Sequence, residues 1–311
     1  MSLIKMPYEV SNEFYLKALI YGQPGLGKST LSVSMPKPVL IDCDNGIHRI
    51  RPEHRPPFLP VSSYQEVLDV LASPEIKEFD TIIFDTGGKL LDYMAEWIIQ
   101  SDPKKGRKDG QLTMQGYGVR KYEFINLLKR LMTMKKHVVF VAHEKEEKDG
   151  DTRYIRPEMG GSSGADLIKE LDLVGYMEAV GRKRTVSFTP SEKYYAKNSA
   201  RLQDMIEVPE LTNGRKNDFM AGVVVKCREA LQEESVQVKA YNELMDSIGK
   251  EINVINNVKS ANAMLKKLGT MEHIWDSKMR AWEMMQIRAG ELGLTYLKEK
   301  KTYEKAESNA I

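Results

Sequence analysis

The stretch Gly22-Gln23-Pro24-Gly25-Leu26-Gly27-Lys28-Ser29, followed by Thr30, limits the folds open to this chain more than any other segment. It fits the pattern GxxxxGK[ST], and it stands where that pattern has a mechanism. A short apolar run, 17–21 (KALIY), precedes it, and a helical pattern over 28–35 follows. Glycines let the backbone fold around phosphate groups so that several N–H groups point inward. The following helix adds the positive end of its dipole. Lys28 is placed to reach the β- and γ-phosphates, and the Ser29 hydroxyl to ligate Mg²⁺. These residues predict a strand, a phosphate cradle and a helix.

Three more short runs have the same texture as 17–21. They are VLID at 39–42, TIIFD at 81–85 and HVVFVA at 137–142. All are rich in β-branched or aromatic residues and lack alternation, as strands buried on both faces do. Helical patterns lie between them at 64–73, 88–100 and 117–135. Strands alternating with helices predict an α/β fold with a mostly parallel sheet. Strand-like pieces at 172–179 and 184–189 are expected to extend that sheet, with an antiparallel edge. From about 228 the texture changes. Apolar residues recur at helical spacing, as in Leu244, Ile248, Ile252 and Ile255, and Gly269 marks a candidate turn. The expected division is a core over 1–227 and a helical region over 228–311, with the last residues (KEKKTYEKAESNAI) frayed.

A phosphate cradle needs a second acid near the metal. Asp85 ends the run TIIFD, where an aspartate holds Mg²⁺. Strand 39–42 is expected near the cradle strand, and it ends in Asp42-Cys43-Asp44-Asn45-Gly46. A carboxylate there can polarise a water attacking the γ-phosphate. Asp44 is favoured for that role, and Asp42 is its rival. His143 closes the run 137–142 and is a candidate sensor of the γ-phosphate.

The order GQPGLGKST, LIDCDNG, TIIFDT and VVFVAHEK resembles the RecA-like ATPase core. More narrowly, it resembles the phage-type AAA_24 nucleotide-binding proteins, which include Sak-type single-strand annealing proteins. The resemblance covers about residues 15–200. It implies ATP and Mg²⁺ as ligands, with Lys28 and Asp44 as catalytic residues. Asp44 stands where RecA-like proteins carry a glutamate one methylene longer. His143 stands where recombinases usually carry glutamine. The resemblance also places DNA loops at 101–116, with Lys104, Lys105, Arg107 and Lys108, and at 144–165, with Arg153, Tyr154 and Arg156. The second loop is also open to a hairpin around Asp149-Gly150. The segment Tyr195–Arg201 resembles the basic stretch that reaches a neighbouring subunit's ATP in archaeal-type recombinases. It makes Lys197 and Arg201 candidate trans-interface residues.

The function expected from this resemblance is an ATP-hydrolysing protein acting on single-stranded DNA in phage or prophage recombination. It would assemble as a homo-oligomer with ATP at the subunit interface. A different class stays open: a nucleotide-dependent switch or scaffold that docks a replication or recombination protein through its C-terminal helices. A small-molecule kinase is the third reading, and no arginine-rich lid supports it. Composition narrows the rest. With 46 Lys+Arg against 44 Asp+Glu, the net charge of +2 argues against a tail-driven polyanion binder. No apolar run approaches the roughly 20 residues of a membrane helix, and no signal peptide is read. Cys43 and Cys227 are too few for a disulfide framework. A cytoplasmic protein of a bacterial host cell, without a membrane partner, is expected.

Overall fold

The structure is a computed structural model and describes residues 14–149, 152–160, 163–211 and 214–305. The chain divides into two compact units, Glu13–Ala230 and one built from Leu231–Ile311. In the first, β1 (Lys17–Gly22) leads through the glycine loop into α1 (Lys28–Ser32). Then come β2 (Pro38–Asp42), β3 (Phe58–Pro60), α2 (Tyr64–Ala72), β4 (Thr81–Asp85), α3 (Gly87–Ser101) and α4 (Met114–Thr133). They are followed by β5 (His137–Asp149), β6 (Thr152–Pro157), α5 (Ser163–Glu170), β7 (Leu173–Val180), β8 (Lys183–Ser187), β9 (Lys197–Asn198) and β10 (Met205–Val208).

The sheet order is β10-β8-β7-β1-β5-β4-β2-β3. From β7 to β3 every neighbouring pair is parallel, while β8 runs antiparallel to β7, and β10 to β8. The expected architecture is present: a mostly parallel sheet between helices, with an antiparallel edge. Alternate side chains of the central strands feed two cores. One lies against α2, α3 and α4 and includes Leu19, Phe84 and Phe140. The other lies against α1 and includes Ile20, Ile83 and Val141. Phe84 and Phe140 stack with ring centroids 5.0 Å apart. This two-sided burial explains the continuous apolar runs of the strands.

Strand β2 does not lie beside the cradle strand, because β5 and β4 stand between them; strand order is set by long-range crossovers that no local run encodes. Helix α1 stops at Ser32 instead of 35. The Ser34 hydroxyl donates to the Leu31 carbonyl at 2.5 Å, and Pro36 follows. Segment 144–165 is not a loop throughout. Strand β5 continues to Asp149 and pairs antiparallel with β6, and α5 begins at Ser163. That is the hairpin alternative; Gly150 itself lies outside the described residues.

The helix α6 (Phe219–Asn253) starts in the first unit and ends in the second. The second unit continues with α7 (Val258–Thr270), α8 (Ser277–Glu291) and a hairpin of β11 (Leu294–Leu297) and β12 (Thr302–Lys305). Ile248, Ile252, Met264, Leu268, Met285 and Tyr303 form its core. Gly269 lies inside α7, so the turn comes after Thr270. The stretch expected to fray instead forms β12 up to Lys305, with Tyr303 buried and Asn262 bonding its backbone. Among the described residues, no helix is long and apolar enough to cross a membrane.

Candidate nucleotide site

The cradle is built by backbone conformations that few residues adopt. Gly25 and Gly27 have φ of 82° and 88°, in the left-handed region that favours glycine. Gly22 ends β1 beside Met177 of β7, where an added Cβ would stand 2.1 Å from the Met177 carbonyl oxygen. Gly27 caps α1 with no side-chain bond to the first-turn amides. Gln23, Pro24 and Leu26 complete the turn. Lys28 is buried, and its Nζ donates to the carbonyls of Gly22 at 2.9 Å and Gln23 at 2.7 Å. Burial pulls its pKa down, and the charges of Asp85 and Glu144 oppose that fall. Bound phosphates would offer the ammonium group stronger acceptors than these carbonyls.

Ser29 and Asp85 meet across the same corner. Asp85 sits at the buried end of β4 and accepts a hydrogen bond from the Ser29 side chain. Burial raises its pKa; the Ser29 bond opposes this, Asp42 and Asp44 add to it, and Lys28 opposes it. A carboxylate held in this state is one that a cation would relieve. Among the described residues no three His, Cys, Asp or Glu side chains form a metal cage. That fits Mg²⁺, which is usually held by one or two protein oxygens together with substrate phosphates. The Ser29 hydroxyl and the Asp85 carboxylate are the residues that would hold it, and Thr30 lies next along α1.

The two rival acids have separate duties. Asp42 is fully buried, and its two oxygens accept from the backbone N–H of Gly46 at 2.8 Å and Ile47 at 2.9 Å. It is committed to closing the turn. Asp44 is partly exposed, and its N–H donates to the Asp85 carbonyl at 3.1 Å. Thus Asp44 lies beside Asp85 although β2 is remote from β1. Its carboxylate pairs with Arg49 at 2.6 Å.

His143 stands beside Gly22 in the sheet register. Its Nδ1 is buried with no hydrogen-bond partner among the described residues, and so is one oxygen of the next residue, Glu144. The Glu144 carboxylate also interacts with the Tyr176 hydroxyl and with the charge on Lys28. Sequence reasoning missed Glu144; its signal was its place directly after the sensor position. It also missed Arg184, at the start of β8, whose Nη1 lies 3.4 Å from the Leu26 carbonyl. No local signal marks Arg184, because the β7–β8 pairing brings it there.

The remaining candidates stand on other elements. Lys104 and Lys108 are exposed, Lys105 lies 4.0 Å from Asp102, and Arg107 pairs with Asp109 at 3.1 Å. On the hairpin, Arg153 faces Glu146 at 3.8 Å, Arg156 pairs with Glu147 at 2.8 Å, and Tyr154 is half-buried. Lys197 donates to the carbonyls of Ile168 and Lys169 at the end of α5, at 3.2 and 3.3 Å. Arg201 is exposed with φ of 53°.

A glycine loop closed by a buried lysine, beside a Ser–Asp pair on a parallel sheet, belongs to the P-loop nucleotide-binding class. More narrowly, the chain belongs to the AAA_24 family, whose AAA-domain model matches residues 15–200. A curated relative is the SPbeta prophage-derived uncharacterized protein YorG of Bacillus subtilis (strain 168). It is 24% identical, over 80% of this chain and 83% of that protein. Among solved structures, the flagellar accessory protein FlaH from Methanocaldococcus jannaschii aligns with a TM-score of 0.37 and 13% identity. That alignment covers 62% of this chain and 84% of FlaH. The KaiC-like protein PH0186 from Pyrococcus horikoshii OT3 aligns with a TM-score of 0.35 and 10% identity, over 55% of this chain and 77% of its own.

Proposed function

We propose that this chain is a Mg²⁺-dependent ATPase that acts on single-stranded DNA in phage or prophage recombination, as Sak-type members of its family would. It works as a homo-oligomer with ATP at the subunit interface. The observation that carries this reading is the continuity of β5: one strand passes the cradle at His143 and runs on as a hairpin bearing Arg153 and Arg156. A change at the γ-phosphate therefore has a covalent path to a charged hairpin, whose Arg153 and Arg156 face Glu146 and Glu147.

In this reading Lys28 turns from the Gly22 and Gln23 carbonyls to the β- and γ-phosphates. Ser29 and Asp85 would hold the metal, which would supply charge neutralisation on the phosphates. Asp44 orients the attacking water, and Arg49 sets the position of Asp44. The hairpin and the 103–108 turn take DNA phosphates through lysine and arginine. Lys197 and Arg201 are carried as interface residues, although Lys197 already bonds α5 within its own chain.

One observation favours a slower protein. Asp44 is a short side chain, already paired with Arg49 at 2.6 Å. A switch that binds ATP, turns over little and docks a replication or recombination partner through its C-terminal helices fits that geometry. Single-turnover ATP hydrolysis with and without single-stranded DNA separates the two. Acceleration by DNA of about tenfold or more, on the scale of one 1.4 kcal/mol step, supports the ATPase. A slow rate indifferent to DNA leaves the switch.

A further inference from the structure

Beside the cradle lies a pocket of about 400 Å³ lined by Thr30, Arg49, Arg51, His54, Arg184 and Glu210. Its volume is within the range of roughly 300–1,000 Å³ seen for small-molecule sites. Two contacts join it to the phosphate loop. Thr30 follows Ser29 on α1. Arg184 lies 3.4 Å from the Leu26 carbonyl and 2.8 Å from where a Cβ on Gly27 would sit. A ligand with its phosphates in the cradle therefore has this volume open to its other end. A larger pocket of about 480 Å³, lined by Pro57, Arg215 and their neighbours, shares no residue with the glycine loop.

The lining has a distinct chemistry. No Phe, Tyr or Trp contributes to it, so a ring is not gripped by aromatic stacking. Three guanidinium groups do contribute, and such planes stack on heteroaromatic rings. Arg49 is tied to Asp44, whereas Arg51 spends Nη1 on the Leu211 carbonyl at 2.9 Å and keeps its other N–H groups. Glu210 is the one carboxylate in the lining, is exposed, and makes no ion pair among the described residues. Flat cations with ring-stacking faces, together with one free acceptor, match a base joined to a sugar with hydroxyl donors.

We propose that this pocket takes the nucleoside end of the bound nucleotide, the base lying against the guanidinium planes of Arg51 and Arg184 and Glu210 accepting from the ribose hydroxyls. The proposal rests on the nucleotide reading above, and its test separates the two. The full chain is titrated with Mg-ATP and, in parallel, with Mg-tripolyphosphate, which has phosphates but no nucleoside. Arg51→Ala is expected to weaken ATP about tenfold and Glu210→Gln about threefold, as loss of charged hydrogen bonds does, with tripolyphosphate unchanged within about twofold. Glu210→Gln is also expected to narrow the preference for ATP over 2′,3′-dideoxy-ATP. Both residues are exposed, so thermal melts of the variants should match the parent.

Equal losses for ATP and tripolyphosphate would overturn the proposal and make the pocket a phosphate subsite. No loss for either ligand would also overturn it. If the parent chain binds neither ligand, the nucleotide reading itself fails, and this inference fails with it.

Discussion

Strand β5 runs for 13 residues, and its two halves are built differently. From His137 to Ala142 every side chain is buried, between β1 on one side and β4 on the other. From Glu144 onward the strand pairs only with β6, and its side chains are mostly charged. Lys145 and Arg156 both bind Glu147, at 2.6 and 2.8 Å. These are exposed ion pairs, typically worth 1 kcal/mol or less each by double-mutant cycles, about the size of one side-chain rotamer's entropy. The inner half holds the fold together, while the outer half adds little stability.

That contrast can be broken at its strongest point first. Gly22→Ala places a Cβ 2.1 Å from the Met177 carbonyl oxygen. Overpacking against backbone should cost at least about 3 kcal/mol, read as a lower urea midpoint. A wild-type midpoint would mean that the buried end of the sheet is looser than its geometry.

His137 tests the same half by pH. Its Nδ1 accepts from the Leu16 N–H at 2.8 Å, and burial lowers its pKa to about 4. Arg228 and Lys17 add to the fall and Asp80 opposes it. The unfolded chain, with an ordinary value near 6.5, binds the proton first. This contribution is intact above about pH 6.5 and is lost as pH falls toward 4, by up to about 3 kcal/mol. His137→Gln should flatten that part of the stability–pH curve. A curve unchanged by the substitution would contradict the buried neutral imidazole.

Asp85 should behave with the opposite sign. Its raised folded pKa means that the folded state gains protons first, so its charge destabilises the metal-free protein at neutral pH. Asp85→Asn should therefore raise the melting midpoint by about 1 kcal/mol equivalent while abolishing the Mg²⁺ dependence of nucleotide affinity. A lower midpoint would show that the carboxylate is already compensated by the Ser29 bond and Lys28.

The smallest stability effect belongs to the outer half. Arg156→Ala should change stability by less than about 1 kcal/mol. On the proposed reading it should weaken single-stranded DNA binding and lower the slope of log affinity against log salt by about 0.7, the single-strand value per phosphate contact. An unchanged salt slope would remove the hairpin from the DNA surface.

How much of this was legible in the sequence follows from how local each feature is. The cradle was readable because Gly25, Gly27, Lys28 and Ser29 act within one turn. The four strands were readable because burial on both faces leaves runs of mostly apolar residues in β1, β2, β4 and the inner half of β5. The placement of β2 was not, since sheet order depends on long crossovers. Arg184 and Glu144 escaped for a related reason: one arrives through strand pairing, the other through a strand running past its apolar segment. The β11–β12 hairpin was hidden because its turn reads Lys298-Glu299-Lys300-Lys301, with no Asn-Gly or Asp-Gly signal, and Leu294 and Tyr303 are its buried anchors. The segment 103–108 lies outside the sheet, and its role still rests on resemblance and charge.

The most direct measurement is ATP binding and turnover by the full chain with Mg²⁺, with and without single-stranded DNA, and with Lys28→Ala as the blank. Lys28→Ala is expected to lose at least about 100-fold in ATP affinity. Turnover is expected to be stimulated by DNA in the parent and to be absent in the blank. Parent-like ATP affinity in Lys28→Ala, or turnover that survives in it, would contradict the assignment of this corner as the nucleotide site.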